Sequence, residues 1–202
     1  MSTWQELAAE KKKRQIASIP KEWLITTPAD DVLDVTDVPS NCGLLSAREL
    51  EITAVSEVAV LLNKLATGEW SSVEVTTAFC KRAIIAHQLV CPSSPANQVV
   101  ALSLIRTVQT NCLTEIFVDR ALERAAWLDE QLKLTGKVVG PLHGLPVSLK
   151  DQIRIKGLET VMGTWTMYSF GIPGNAFGAP PSQDTSRGSV KWPSVMLLLR
   201  TF

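Results

Sequence analysis

The 202 residues set 20 Lys and Arg against 20 Asp and Glu, with 46% hydrophobic residues, 11 Gly, 11 Pro and 4 Cys, the composition of an ordinary globular protein. A net charge of zero gives no general attraction for a nucleic-acid backbone or an anionic membrane, both of which need clustered positive charge. The longest aliphatic run, Val58 to Leu62, is far short of the roughly 20 apolar residues that span a bilayer. Neither a nucleic-acid partner nor a membrane span is expected.

In chain order, the first predicted element is an amphipathic helix before Pro20. Ser2 and Gln5, or Thr3 and Glu6, have capping-box spacing, and Trp4, Leu7 and Ala8 give a short apolar stripe. The run Lys11 to Arg14 then falls on the exposed side as a solvated face, with a nuclear-localisation signal as the competing reading. No apolar block follows this run, which is wrong for a secretory leader, so a cytoplasmic location is expected. Pro28 to Ser46, with scattered Asp, Pro, Asn and Gly, reads as a connecting segment.

Val55, Val58, Leu61, Leu62 and Leu65 share one side of a second helix that stops at Gly68. Ser71 and Glu74 form the capping box of a third, in which Val75, Ala78, Phe79, Arg82, Ala83 and Ala86 keep helical spacing to about Gln88. The two are expected to form a helical hairpin. A fourth helix is predicted from about Asp119 to Leu134, with Ala121, Leu122, Ala125, Leu128 and Leu132 inward and Gly136 at the stop.

Gly140, Pro141, Gly144 and Pro146 then punctuate a segment leading into a strand over 147–150, a second over 152–155 and a turn at Lys156-Gly157. Helices preceding strands favour an α/β or α+β architecture. From Thr164 onward Gly and Pro make the chain irregular before a short apolar end, Trp192 to Phe202, and this tail is expected to be disordered rather than folded. Cys42, Cys80, Cys91 and Cys112 are widely spaced with no C-x-x-C pair, and only His87 and His143 are at hand as further soft ligands. No metal site is expected, and the thiols read as small, mostly buried apolar residues.

The candidate site lies in Gly-Pro-Leu-His-Gly-Leu-Pro-Val-Ser-Leu-Lys-Asp, residues 140–151. Ser148 and Lys150 are two apart and on a strand share one face, whereas Asp151 faces the other way and is read as structural. Desolvation disfavours the ammonium form, so a lysine held among apolar strand residues is a plausible general base. Against this stands the commoner fate of a lysine, at the end of an edge strand and in water. A Ser148–Lys150 dyad acting alone is disfavoured, since side chains two apart on a strand start about 6 to 7 Å apart. His143 is read as a hydrogen-bonded turn histidine, with a substrate contact as the alternative.

The segment GPLHGLPVSLKDQIRIKGLETVMG, residues 140–163, resembles the lysine-bearing segment of the amidase signature family, near its fungal acetamidase-like branch. SVEVTTAFCKRAIIAHQ, Ser72 to Gln88, is similar to the family's early helix, and NCLTEIFVDRALERAAWLDEQL, Asn111 to Leu132, to the element that follows. The resemblance implies a partial amidase domain over residues 1–163, truncated before the family's Gly/Ser-rich loop. The implied fold is α/β: N-terminal helices plus the first strands of a large mixed sheet, left incomplete, with an irregular tail over 164–202. It further implies hydrolysis of carbon–nitrogen bonds in small amides by a Ser, bridging Ser and Lys triad, without metal or organic cofactor.

In that pattern Lys150 matches the catalytic lysine, and Met162 and Gly163 fall where the substrate pocket gains backbone lining. The two serines, borne in the family on the Gly/Ser-rich loop that also supplies oxyanion donors, have no match: after Lys150 there is only an isolated Gly188-Ser189. The chain is therefore expected to be inactive by itself. The alternative is a non-catalytic fragment or interaction module, prone to self-association through exposed core surface. Residues 90–109 interrupt the pattern, which joining Leu89 to Thr110 restores. Every valine codon begins with GT and one glutamine codon ends in AG, so the block Val90 to Gln109 fits an intron read in frame, with an ordinary insertion as the alternative.

Overall fold

Capping chemistry sets the helices of the computed structural model, which describes residues 4–28, 32, 34–90, 113–150 and 195–201. Helix α1 (Trp4–Ala17) is followed by a single 3-10 turn, Lys21–Trp23, after Pro20. A short helix α2 (Val38–Asn41) lies within the connecting segment. Helix α3 (Ala47–Ala54) opens on a reciprocal capping box: the Ser46 hydroxyl accepts from the Glu49 N–H at 3.2 Å, and the Glu49 carboxylate accepts from the Ser46 N–H at 2.8 Å. The sequence reading assigned no element to these residues, although the S-x-x-E spacing stands in the chain.

Helix α4 (Val58–Thr67) stops where expected, at Gly68 with φ +72°, a backbone conformation that favours glycine. Helix α5 (Ser72–Val90) starts on the expected box, with Ser71 accepting from the Glu74 N–H at 3.0 Å and Glu74 from the Ser71 N–H at 2.9 Å. Strand β1 (Leu113–Ile116) precedes α6 (Val118–Thr135), which ends at Gly136 with φ +64°. Strands β2 (Leu145–Lys150) and β3 (Val195–Thr201) complete the described elements.

The hub is α5. It packs against α3 on one side and α6 on another, and also meets β2 and β3. That many neighbours bury more than one stripe. Besides Val75 and Ala78, the expected inward residues, Ser72, Thr76, Cys80, Ile84, Ile85 and His87 are buried, while Arg82 and Ala86, placed on the same stripe by spacing alone, are exposed. The expected α4–α5 hairpin is correspondingly altered. Helix α4 joins the core through Leu61 and Leu65, in a cluster with Ile52 of α3, Trp70, Val75 and Ala78. Val58, in its first turn, is 54% exposed.

A second cluster unites Cys80 and Ile84 of α5 with Leu113, Ile116, Val118 and Ala121, and receives Ile19 and Trp23 from the N-terminal turn. Gln88 fastens that turn, donating to the Trp23 carbonyl at 3.0 Å and accepting from the Ile25 N–H at 2.9 Å. The basic run is not wholly on the exposed side, because Lys11, 17% exposed, pairs with Glu115 at 3.8 Å.

The sheet is mixed, in the order β1-β3-β2: β3 is antiparallel to β1 and parallel to β2. The expectation of an irregular tail is corrected at its end, since 195–201 forms the central strand. The run Val-Met-Leu-Leu-Leu is consistent with such a strand, as central strands read as continuous apolar stretches without Pro. The expected strand over 152–155 and the interruption from residue 91 to 109 lie outside the described residues.

Candidate active site

Strand β2 is launched by the turn over 139–144. Val139 packs with Val73 of α5 against the buried Ala125 and Leu128 of α6. At the other end of the turn Gly144 has φ +73° and lies on the first residue of α5: a Cβ built there would stand 2.5 Å from the Ser72 hydroxyl and 2.9 Å from Leu65 Cδ2. Only a residue without a side chain fits this approach. Two backbone bonds close the turn, His143 N–H to the Gly140 carbonyl at 3.1 Å and Leu145 N–H to the Leu142 carbonyl at 3.2 Å.

The surface that receives the turn is itself organised by Asp129 of α6. Its carboxylate accepts from the N–H groups of Ser72 at 2.6 Å and Val73 at 3.1 Å, across 57 and 56 residues of chain. These are donors that the start of a helix leaves without intrahelical partners. The negative charge there is also favoured by the helix dipole. His143 is 2% exposed. Its Nδ1 accepts from the Val139 N–H at 3.2 Å, so the neutral ring carries its proton on Nε2. Burial pushes its pKa down, the Asp129 carboxylate pulls against this, and Arg124 adds to it. The turn-histidine reading is the one the geometry supports.

Lys150 is the last residue of β2, aligned with Thr201 of β3. The pairing shifts register between Val147 and Ser148, so Leu145 to Val147 align with Val195 to Leu197, whereas Ser148 to Lys150 align with Leu199 to Thr201. A one-residue slip of this kind changes which face a strand residue presents. Ser148 is exposed. Met162 and Gly163, like Asp151 and Gly188-Ser189, lie outside the described residues. Asp129 and Gly144 were missed as parts of the site: Gly144 was readable as turn punctuation, but Asp129 gave only the helical spacing of an outward residue.

Among the described residues no set of three His, Cys, Asp or Glu side chains is gathered for a metal. No described helix is long and apolar enough to cross a membrane. Cys80 is fully buried and burial raises its thiol to about 12, whereas Cys42 is partly exposed. A cleft of about 150 Å³ between α1 and β1, lined by Lys11, Arg14, Gln15, Ser18 and Glu115 to Phe117, opens at the strand farthest from β2.

Helices packed against a mixed sheet, with a lysine at the end of one strand, define a fold of the mixed helix-and-strand class. The family model described as Amidase matches residues 102–171, beginning inside the 90–109 block and ending beyond Gly163. An acetamidase of Emericella nidulans is 49% identical over 80% of this chain and 25% of its own length. An amidase of Gibberella moniliformis is 46% identical over 79% and 28%. The solved structure of a fatty acid amide hydrolase superposes with a TM-score of 0.73 at 30% identity, covering 99% of this chain and 31% of the other. The chain belongs to the amidase signature family and spans about a quarter of the length of these fungal relatives.

Proposed function

We propose that these residues carry the proton-accepting part of an acetamidase-like site, with Lys150 as the general base that activates a serine for attack on the carbonyl carbon of a small amide. The observation that carries this reading is the placement of Lys150 at the end of β2, beside the central strand and behind a turn locked onto α5. A lysine that sits among apolar groups loses its proton more readily than one in water, which is the property this reading requires of Lys150. The uncharged amine takes the nucleophile's proton, the hydroxyl oxygen bonds to the amide carbon, the leaving amine departs with a proton, and water later releases the acid. Met162 and Gly163 would line the substrate pocket. The two serines and the oxyanion donors are not among these 202 residues in the family's pattern. We assign the protein to the cytosol, where the Cys42 and Cys80 thiols stay reduced.

The 202-residue chain is therefore expected to release ammonia from acetamide at the background rate and to resist labelling by a serine-directed fluorophosphonate. Ammonia release that disappears in Lys150→Ala would show that the chain supplies its own nucleophile, and would overturn this reading. A second reading, an interaction module, draws on the outer edge of β2, which has no strand partner among the described residues, and on the exposed Trp127, Leu134 and Val138. Concentration-dependent self-association in sedimentation, relieved by a charged residue at Val147, is the outcome that reading expects.

A further inference from the structure

Three groups converge where β2 begins. Asp129 holds the first two free N–H groups of α5. Gly144 lies against the Ser72 side chain with no space for a methyl group. His143, buried between them in sequence, ties the turn to its own start by accepting the Val139 N–H, while Val139 packs on Val73, Ala125 and Leu128. Among the described residues neither the buried Ser72 hydroxyl nor the buried His143 Nε2 has a hydrogen-bond partner. The outer edge of β2 meets no strand among the described residues. Among the described elements β2 is placed by β3, by its contacts with α4 and α5, and by the turn that launches it.

We infer that Asp129, His143 and Gly144 are positioning residues for Lys150: they clamp the 139–144 turn onto the N-terminus of α5 and so fix the register in which β2 presents the lysine. Lys150 lies six residues beyond Gly144, about 20 Å along the strand. The pairing of β2 with β3 shifts by one residue between Val147 and Ser148, so the register at Lys150 is the one set at the launch of β2 plus that shift, and a further slip of one residue would turn the lysine to the other face. The inference rests on the reading of Lys150 as a base, and assigns to the clamp the task of holding the strand that ends on that base in place.

The test uses the whole 202-residue chain. The rate of Lys150 acetylation is followed by peptide mass spectrometry from pH 6 to 11, and hydrogen exchange is followed at residues 145–150. Gly144→Ala and His143→Leu are expected to raise the Lys150 midpoint toward the ordinary lysine value of about 10.4, slowing its acetylation at pH 8 by about tenfold or more, and to deprotect the β2 amides. His143→Asn, which keeps an acceptor near the Nδ1 position, is expected to restore both. Asp129→Asn gives an intermediate shift. Val118→Ala, which loosens the cluster at the other side of α5, leaves both readouts unchanged and separates positioning from general destabilisation. If Gly144→Ala does not fold, His143→Leu and Asp129→Asn carry the test. Unchanged β2 protection in the clamp variants overturns the inference, whatever the Lys150 midpoint. A wild-type midpoint at the ordinary lysine value, with β2 protection still lost in those variants, overturns the base reading and leaves the clamp standing as a docking device for β2.

Discussion

The α3–α5 helical block and the three-stranded sheet are built on opposite principles. In the block, local signals mark most of the boundaries: reciprocal boxes start α3 at Ser46 and α5 at Ser71, and a left-handed glycine stops α4 at Gly68. Its core, Ile52, Leu61, Leu65, Trp70, Val75 and Ala78, comes from only 27 consecutive residues, 52–78. The sheet draws its central strand from 195–201 and its neighbours from 113–116 and 145–150. No local signal says that these segments meet. Helical order is thus written locally, while the strand that bears Lys150 owes its place to distant partners.

The sharpest way to break the comparison is to remove β3. A chain ending at Ser194 takes from β1 and β2 the strand that both pair with, and their amides are expected to lose exchange protection while those of α3 and α5 keep it. Loss of protection in α5 as well would make block and sheet one cooperative unit. Next in size, Trp70→Ala is expected to destabilise the chain by about 3 to 5 kcal/mol in urea melts, since it empties the largest side chain of the helical core.

Acid should weaken both regions. His87 and His143 have pKa values lowered mainly by burial. The unfolded chain takes up these protons first, so stability present above about pH 6.5 falls as the pH drops and is fully lost once the folded-state values are passed. Glu49 adds a lower window. Burial raises its carboxyl, but hydrogen bonds from Lys81 and Ser46 outweigh this and hold it below the usual 4.5, so its contribution is lost as pH falls beneath that value. Melting temperatures across pH 2 to 8 check both. The smallest effect is expected for Ser46→Ala, which removes one side of the α3 box and costs about 1 kcal/mol.

What the sequence made legible follows the same division. The stops at Gly68 and Gly136 and the box at Ser71 and Glu74 stand where spacing placed them. The start of α3 was equally legible at Ser46 and Glu49, but Ser46 reads as the end of a connecting segment and no element is assigned to the residues directly after it. The inward face of α5 was read too narrowly, because a single stripe assumes one neighbour and this helix has several. Strand β3 was hidden: seven apolar-rich residues after a long Gly- and Pro-rich stretch say nothing of a partner 50 residues upstream. At the site, the lysine stood out through its motif, whereas Asp129 gains its role only from the fold, by reaching the start of another helix.

The most direct test grafts residues 1–163 into the Emericella nidulans acetamidase in place of the segment they match, and measures acetamide hydrolysis. The account predicts that the chimera releases ammonia and that Lys150→Ala within it abolishes release while the protein stays folded. Full activity retained by Lys150→Ala would contradict the claim that this lysine is the proton acceptor.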